Sequence, residues 1–160
     1  ILKNISKKNI CNFETKINNH IGTRLVKYGW LRNIAVEKRQ FIHYKGRKKY
    51  EEDRSLHPVA KIEGEVVKLN NPIIHYMDRD ISSLISRFNK YTSLRAKDLS
   101  SSDKNIKKKC FFIIFFSFLN RFFKAFIIKK GYKEGGLGLI ICLLGASYGL
   151  VSNEKVVKKF

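Results

Sequence analysis

The sequence is poor in cysteine and has no paired metal-ligand motif. Its three cysteines, Cys11, Cys110 and Cys142, lie far apart, and the cysteines and histidines show no CxxC or HxxxH spacing. A zinc ribbon or a dithiol redox site would need such spacing. An odd number of separated cysteines also argues against a disulfide framework. We therefore expect a reducing, cytoplasmic setting.

Acidic residues are also scarce, because 13 Asp and Glu stand against 33 Lys and Arg and leave a formal net charge of +20. This excess favours anionic partners such as nucleic acid, lipid head groups or acidic glycans. Composition alone is an alternative explanation, since Lys, Asn and Ile are abundant together, as AT-rich coding produces. The chain has no zinc-finger or RNP1-like motif, so we expect no nucleic-acid partner.

A signal peptide is another missing feature. The chain begins at Ile1 without a basic segment, an apolar core and a small-residue cleavage site. Residues 1–22 give only a weak helix or loop signal. We expect the sequence to be part of a longer protein.

The middle of the chain predicts short strands followed by one helix. Val36–Tyr44 suits a strand, Val59–Leu69 suits two strands around a tight turn at Gly64, and Ile73–Met77 suits a buried strand. Residues 79–98 predict an amphipathic helix with Asp80 as its N-cap. Its apolar face would consist of Ile81, Leu84, Ile85, Phe88 and Tyr91, and its polar face would carry Arg87, Asn89 and Lys90. Ser100–Lys109 predicts a polar, basic linker.

Two apolar segments make up the tail. Cys110–Asn120 is too short to cross a bilayer, which needs about 20 residues. The chain continues apolar past it, and a narrow polar stripe along this helix predicts that it lies in a membrane interface, with a buried core helix as the alternative. The stripe consists of Ser117, Asn120, Arg121 and Lys124. The uncharged 19-residue stretch Gly135–Asn153 is long enough to cross a bilayer, but we favour a re-entrant or interfacial helical hairpin.

Short stretches along residues 20–150 form an ordered set of motifs. They are Tyr28-Gly29-Trp30 with Arg39-Gln40-Phe41, Asp53–His57, Gly64–Leu69 with Pro72–Tyr76, Arg79-Asp80-Ile81 with Asn89–Thr92, and Phe122-Phe123-Lys124 with Lys130–Gly135 and Gly138-Leu139. Together, in this order and spacing, they resemble the C-terminal part of bacterial family 2 glycosyltransferases of the lipopolysaccharide core glucosyltransferase type.

The resemblance implies an α/β fold, namely the C-terminal portion of a GT-A glycosyltransferase domain followed by amphipathic, membrane-associated helices. Residues 1–78 would be a partial acceptor-side region, 79–109 the amphipathic helix and basic linker, and 110–160 the membrane-associated tail. The implied reaction moves a sugar from a nucleotide-sugar to a lipid-linked glycan acceptor in lipopolysaccharide or cell-envelope polysaccharide biosynthesis. It would occur at the cytoplasmic face of the bacterial inner membrane. A non-catalytic, basic, membrane-associated remnant is the alternative.

The family holds its nucleotide-sugar and a divalent metal, Mg or Mn, through an Asp-rich motif in the N-terminal half. This chain has Asp78-Arg79-Asp80, but the triplet opens the predicted helix, and we interpret it as a cap. We therefore expect this chain to bind no cofactor, and we expect the metal in the N-terminal half.

The resemblance also suggests site residues. Inverting transfer needs a base near the acceptor hydroxyl, and the family has a carboxylate where Pro58 stands here. His57 is then the first candidate and Asp53 the second, with a structural role for His57 as the alternative. Candidate substrate-binding residues are Trp30, Arg39 and Arg54, although Trp30 also suits the core, and His75 is expected to be buried. Basic residues beside the tail should contact an anionic membrane, namely Arg121, Lys124, Lys129 and Lys130.

Overall fold

The structure, a computed structural model, shows a mixed α/β chain. It describes residues 10–31, 33–43, 48–50, 60–62, 64–101 and 111–157. The chain folds as two compact units. One consists of Ile1–Asn18 with Glu37–His75, and the other of Asn19–Val36 with Tyr76–Phe160.

The strands are β1 (Ile10–Ile21), β2 (Arg24–Leu25), β3 (Lys38–His43), β4 (Lys48–Tyr50), β5 (Ala60–Ile62), β6 (Glu65–Lys68) and β7 (Ile73–Asp78). In the first unit, β1 pairs antiparallel with β3 and parallel with β6, and β4 pairs antiparallel with β5. In the second unit, the end of β1 pairs antiparallel with β2. Strand β7 also pairs with β1.

Strand β1 corrects the prediction of a weak helix or loop for the described part of residues 1–22, whereas residues 1–9 lie outside the described residues. Phe13, Thr15, Asn19 and Ile21 alternate along it and are buried. Two of these four side chains are polar, so the sequence lacks the alternation of apolar and polar residues that identifies a half-buried strand. Backbone acceptors from other segments satisfy these polar groups, because the Thr15 hydroxyl donates to the Asn71 carbonyl (2.6 Å) and the Asn19 amide donates to the Val36 carbonyl (3.2 Å).

The predicted strands exist, but their surroundings differ from expectation. β3 lies inside the predicted strand Val36–Tyr44, and β5 and β6 lie inside Val59–Leu69, with Gly64 at φ +106°. Among the described residues β5 pairs with β4 and β6 pairs with β1, and these two strands do not pair with each other as a hairpin. The prediction that Ile73–Met77 is a buried strand was wrong about burial.

In β7, Ile74, His75 and Tyr76 are all exposed, Tyr76 by 71%. The expectation that His75 is buried was therefore also wrong. An apolar run identifies a strand, but it does not show what covers the two faces of that strand.

Helix α1 (Ile81–Ser101) confirms the amphipathic helix and its N-cap. The Ser83 amide donates to Asp80 Oδ1 (2.7 Å), and the Asp80 amide donates to Ser83 Oγ (3.0 Å). This reciprocal cap satisfies amides that the first turn leaves free. The buried face is rotated from the predicted one: Leu84, Thr92 and Ala96 are buried, whereas Ile81 and Ile85 are exposed.

The prediction that Arg87 lies on the exposed polar face of the helix was wrong. Its guanidinium binds the carboxylate of Asp78 at the end of β7, with Nε 2.9 Å from Oδ1 and Nη2 2.8 Å from Oδ2. Nη1 donates to the Ile34 carbonyl (3.0 Å). The two parallel hydrogen bonds to Asp78 and the third bond to Ile34 fix the orientation of the Arg87 side chain relative to α1.

The tail is helical, as predicted. Helix α2 (Phe111–Phe123) continues into a π-turn (Lys124–Ile128), and a 3₁₀ turn (Gly131–Glu134) leads into α3 (Gly135–Val157). Helix α3 packs against α1 and α2. Trp30, Leu84, Ile141 and Tyr148 belong to the core of this unit.

The N-cap of α1 generates a prediction about pH. The hydrogen bond from the Ser83 amide is the main reason why the pKa of Asp80 lies below its ordinary value of 3.8. A lowered carboxyl pKa stabilises the fold above the ordinary pKa, and this contribution disappears as the pH falls through the lowered value. Asp80→Ala should therefore lower the melting temperature at neutral pH, and its difference from the unmodified protein should shrink in acid.

Asp80→Asn is the matched control, because asparagine keeps the cap acceptor but does not titrate. Its melting temperature should stay above that of Asp80→Ala at every pH. Calorimetry at several pH values measures this, and equal melting temperatures for Asp80→Ala and the unmodified protein at neutral pH would contradict the cap.

Candidate functional site

A buried carboxylate holds the loop Arg24–Trp30 against the start of α3. Glu134 is 7% exposed. Its Oε1 accepts from the backbone amides of Lys27 (2.8 Å) and Tyr28 (3.1 Å), and its Oε2 accepts from Arg24 Nη2 (3.0 Å). Arg24 Nη2 also donates to the Glu134 carbonyl (3.0 Å). One side chain thus fixes a loop more than a hundred positions away in sequence.

Lys129 and two glycines complete this contact. The Gly29 amide donates to the Lys129 carbonyl (3.0 Å), and Lys129 Nζ donates to the Trp30 carbonyl (2.7 Å). Gly29 has φ +80°, and a Cβ placed on it would lie 3.0 Å from the Gly131 Cα. Both the backbone angle and the close approach therefore require glycine at position 29. We call Arg24–Trp30 together with Lys129–Glu134 the loop clasp.

Cys142 lies beside the loop clasp on α3. Its Sγ is 3.8 Å from the Gly29 carbonyl oxygen, and burial raises the pKa of its thiol to about 11. At neutral pH the thiol is protonated, and the reactive thiolate is rare. Cys142 therefore packs as a small apolar side chain.

The structure describes only part of the predicted substrate site. His57, Asp53 and Arg54 lie outside the described residues. Trp30 is 2% exposed, and its indole N–H donates to the Val26 carbonyl (2.9 Å), which fits the core alternative for this residue. Arg39 is exposed on β3, with its guanidinium carbon 5.6 Å from the centre of the Phe41 ring.

The four predicted membrane-contact cations fall into two groups. Arg121, Lys124 and Lys130 are exposed, and the Arg121 guanidinium lies close to Gly149 of α3. Lys129 is half-buried because its ammonium group belongs to the loop clasp. Lys130 has φ +56°, a conformation that a lysine rarely adopts.

Large apolar side chains are exposed beside these cations. Five of them on α2 and its π-turn each leave more than half of their surface open, namely Ile113, Phe116, Phe123, Ile127 and Ile128. We call these five the outer apolar face. On another side of the helix, the rings of Phe118, Phe122 and Phe126 stack in sequence at centroid distances of 6.4 and 5.3 Å.

Carboxylates in the described part of the chain are not arranged as metal ligands. Among the described residues, no group of three or more His, Cys, Asp or Glu could hold a metal ion. Within Asp78-Arg79-Asp80, the first carboxylate binds Arg87 and the second caps α1. The interpretation of this triplet as a helix cap fits these contacts.

Sequence reasoning singled out the glycine-rich stretch around Glu134 but not the carboxylate itself. Glu134 is the one acidic residue between Asp103 and Glu154, a stretch whose other charged residues are all basic. A lone carboxylate in such a stretch needs a partner when it is buried. The lack of any other acidic residue nearby was therefore the feature of the sequence that could have identified Glu134.

The loop clasp predicts an order of stabilities. Glu134→Ala removes the acceptor of two backbone amides and should lower the free energy of unfolding by about 2 kcal/mol or more. Arg24→Ala should cost about 1 kcal/mol or less, because the Arg24 side chain is 53% exposed and a solvated ion pair contributes little. Glu134→Gln, which keeps an acceptor oxygen, should fall between them. Urea unfolding measures all three, and an Arg24→Ala loss as large as that of Glu134→Ala would refute the assignment.

Comparisons of the chain with protein-family models, with curated proteins and with solved structures find no match.

Proposed function

We propose that the chain is the acceptor-side part of a family 2 glycosyltransferase of the GT-A type. The protein would transfer a sugar from a nucleotide-sugar donor to a lipid-linked glycan in lipopolysaccharide or cell-envelope polysaccharide biosynthesis. It would work at the cytoplasmic face of the bacterial inner membrane, peripherally or shallowly inserted. One helix among the described residues, Gly131–Val157, is long and apolar enough for membrane association, although a buried core helix passes the same test.

The convergence of separate motif stretches supports this proposal most directly. Tyr28-Gly29-Trp30 and Lys130–Gly135 carry the resemblance at opposite ends of the matched region, and both contribute to the loop clasp. Nearby in the same unit, the Gly22 amide donates to the carbonyl of Asp78, the residue before the Arg79-Asp80 motif (2.8 Å). Parts of one inherited fold would be expected to lie together in this way.

The proposed chemistry gives roles to His57, Asp53 and Arg54, which lie outside the described residues, and to Arg39 on β3. His57 would take the proton of the acceptor hydroxyl as its oxygen attacks the anomeric carbon, and the nucleoside diphosphate would leave with the bonding electron pair. Asp53 is the second candidate for this base. Arg39 and Arg54 are cations that suit the phosphates of the substrates. We assign the nucleotide-sugar and the divalent metal to a donor-binding part that this sequence does not contain.

A transfer assay tests this function. The natural gene product that carries this chain is incubated with radiolabelled nucleotide-sugars and bacterial membrane lipids, and label in the lipid fraction is counted. His57→Ala should reduce transfer about 100-fold or more, the usual contribution of a general base. His75→Ala is the matched control, because His75 is exposed and has no assigned role, and it should leave the rate unchanged.

Two results would count against the proposal in different ways. Equal rates for His57→Ala and His75→Ala would remove His57 from the reaction and direct attention to Asp53. Absence of label from the lipid fraction with every nucleotide-sugar, for a folded protein, would favour the non-catalytic membrane-associated remnant.

A further inference from the structure

We propose that the outer apolar face of α2 and its π-turn docks on the surface of an anionic phospholipid bilayer, while α3 stays packed on α1 and does not cross the membrane. This deepens the proposed function by naming the surface that would bring the protein to its lipid-linked acceptor. It rests on that function only for the identity of the membrane.

The outer apolar face lies along one side of the helix, and Asn120 interrupts it between Phe116 and Phe123. Ile113, Phe116, Phe123 and Ile127 follow one another at spacings of three, seven and four residues, which keeps them on one side. Ile128 extends the face at the end of the π-turn and is its most exposed member. Soluble proteins rarely leave this many large apolar side chains on one side of a helix in water, and their presence marks an interaction surface.

Charge identifies the partner. The polar stripe Ser117, Asn120, Arg121 and Lys124 runs directly beside the outer apolar face, and Lys130 and Lys133 are exposed just beyond it. From 111 to 133 every charged residue is a cation, and the neighbouring Glu134 is buried against Arg24. Apolar side chains flanked by cations match acyl chains beneath anionic head groups. A second copy of the chain would instead bring like charges together.

The packing of α3 argues against a membrane crossing. Lys155 Nζ donates to Asn89 Oδ1 (2.6 Å) and Thr92 Oγ1 (2.8 Å) on α1, and the Asn33 amide donates to the Gly145 carbonyl (2.8 Å). Within Gly135–Asn153 the exposed large apolar side chains are Leu139 and Leu143. One side of the helix is therefore already covered by protein, although less than half of its apolar stretch (39%) is buried.

Helix α1 would have to follow α3 into the bilayer or separate from it. The exposed side of α1 carries Lys90, Arg95 and Lys97, and charged side chains in hydrocarbon are costly. Separation would leave the buried hydroxyl groups of Thr92 and Ser152 facing lipid. Shallow docking through α2 requires neither change.

Vesicle co-sedimentation tests the docking surface with the full chain and acceptor-free vesicles, either purely zwitterionic or containing anionic phosphatidylglycerol. The unmodified protein should prefer the anionic vesicles, and salt should weaken its binding. The double variant Lys124→Gln/Lys130→Gln should bind the anionic vesicles about 25-fold more weakly, roughly fivefold for each cation near the surface. Phe116→Ser/Ile127→Ser should reduce binding to both kinds of vesicle.

The matched control lies on α1. Ile85→Ser/Lys97→Gln also removes an exposed apolar side chain and an exposed cation, and it should bind like the unmodified protein. Circular dichroism melts of all variants separate lost docking from lost folding. If the α1 variant binds as weakly as the α2 variants, the outer apolar face is not the docking surface.

Two further measurements complete the test. An alkaline carbonate wash should release the bound protein, and retention in the membrane would show that α3 inserts. Sedimentation velocity without lipid should show a monomer, and a dimer abolished by Phe116→Ser/Ile127→Ser would overturn lipid docking in favour of self-association. The vesicles contain no acceptor, so the two proposals can fail separately. Vesicle binding by a protein that transfers no sugar would refute the proposed enzyme activity but not the docking surface. Sugar transfer by a protein that does not bind vesicles would refute the docking surface but not the activity.

Discussion

The burial of the Glu134 carboxylate is the constraint on which the second unit depends. A carboxylate removed from water is costly unless it is paired and hydrogen-bonded, and here two backbone amides and Arg24 satisfy it. Those partners lie on one short loop, so that loop must lie against the start of α3. The contact of Gly29 with Gly131 and the enclosed position of Trp30 follow from the same placement.

The loop clasp also determines which side of α2 remains open. The turn Lys129–Glu134 connects α2 to α3. The carbonyl of Lys129 accepts a hydrogen bond from the Gly29 amide, and its ammonium group donates one to the Trp30 carbonyl. With this turn fixed and α2 packed along α3, the helix has little freedom to rotate about its own axis. Ala125 is buried, whereas Ile127 and Ile128 remain exposed. An interaction made by one carboxylate thus orients a hydrophobic surface on a neighbouring helix.

Local signals in the sequence predicted helices better than strands or burial. The cap at Asp80 and the apolar period of α1 were readable because both act within a few residues. Strand β1 was missed because Thr15 and Asn19 occupy core positions, and their acceptors, Asn71 and Val36, come from distant segments. Likewise, the helical pattern predicted Arg87 to be a surface residue, because the sequence does not show that the fold places the Asp78 carboxylate beside it. For the candidate site, the sequence supplied the motif stretches but not the contact between them, which depends on the long-range pairing of Glu134.

Helix α3 shows why composition alone leaves the membrane question open. A stretch of 19 uncharged residues suits lipid and a protein core equally well. What separates the two environments is the location of hydrogen-bonding partners, since a lipid-facing helix has none outside itself. Here Lys155 finds its acceptors on α1, and the Gly145 carbonyl accepts from Asn33. These bonds assign one side of α3 to the protein. The proposed contact with a bilayer then falls to α2, whose outer apolar face has no such covering in the part of the chain that the structure describes.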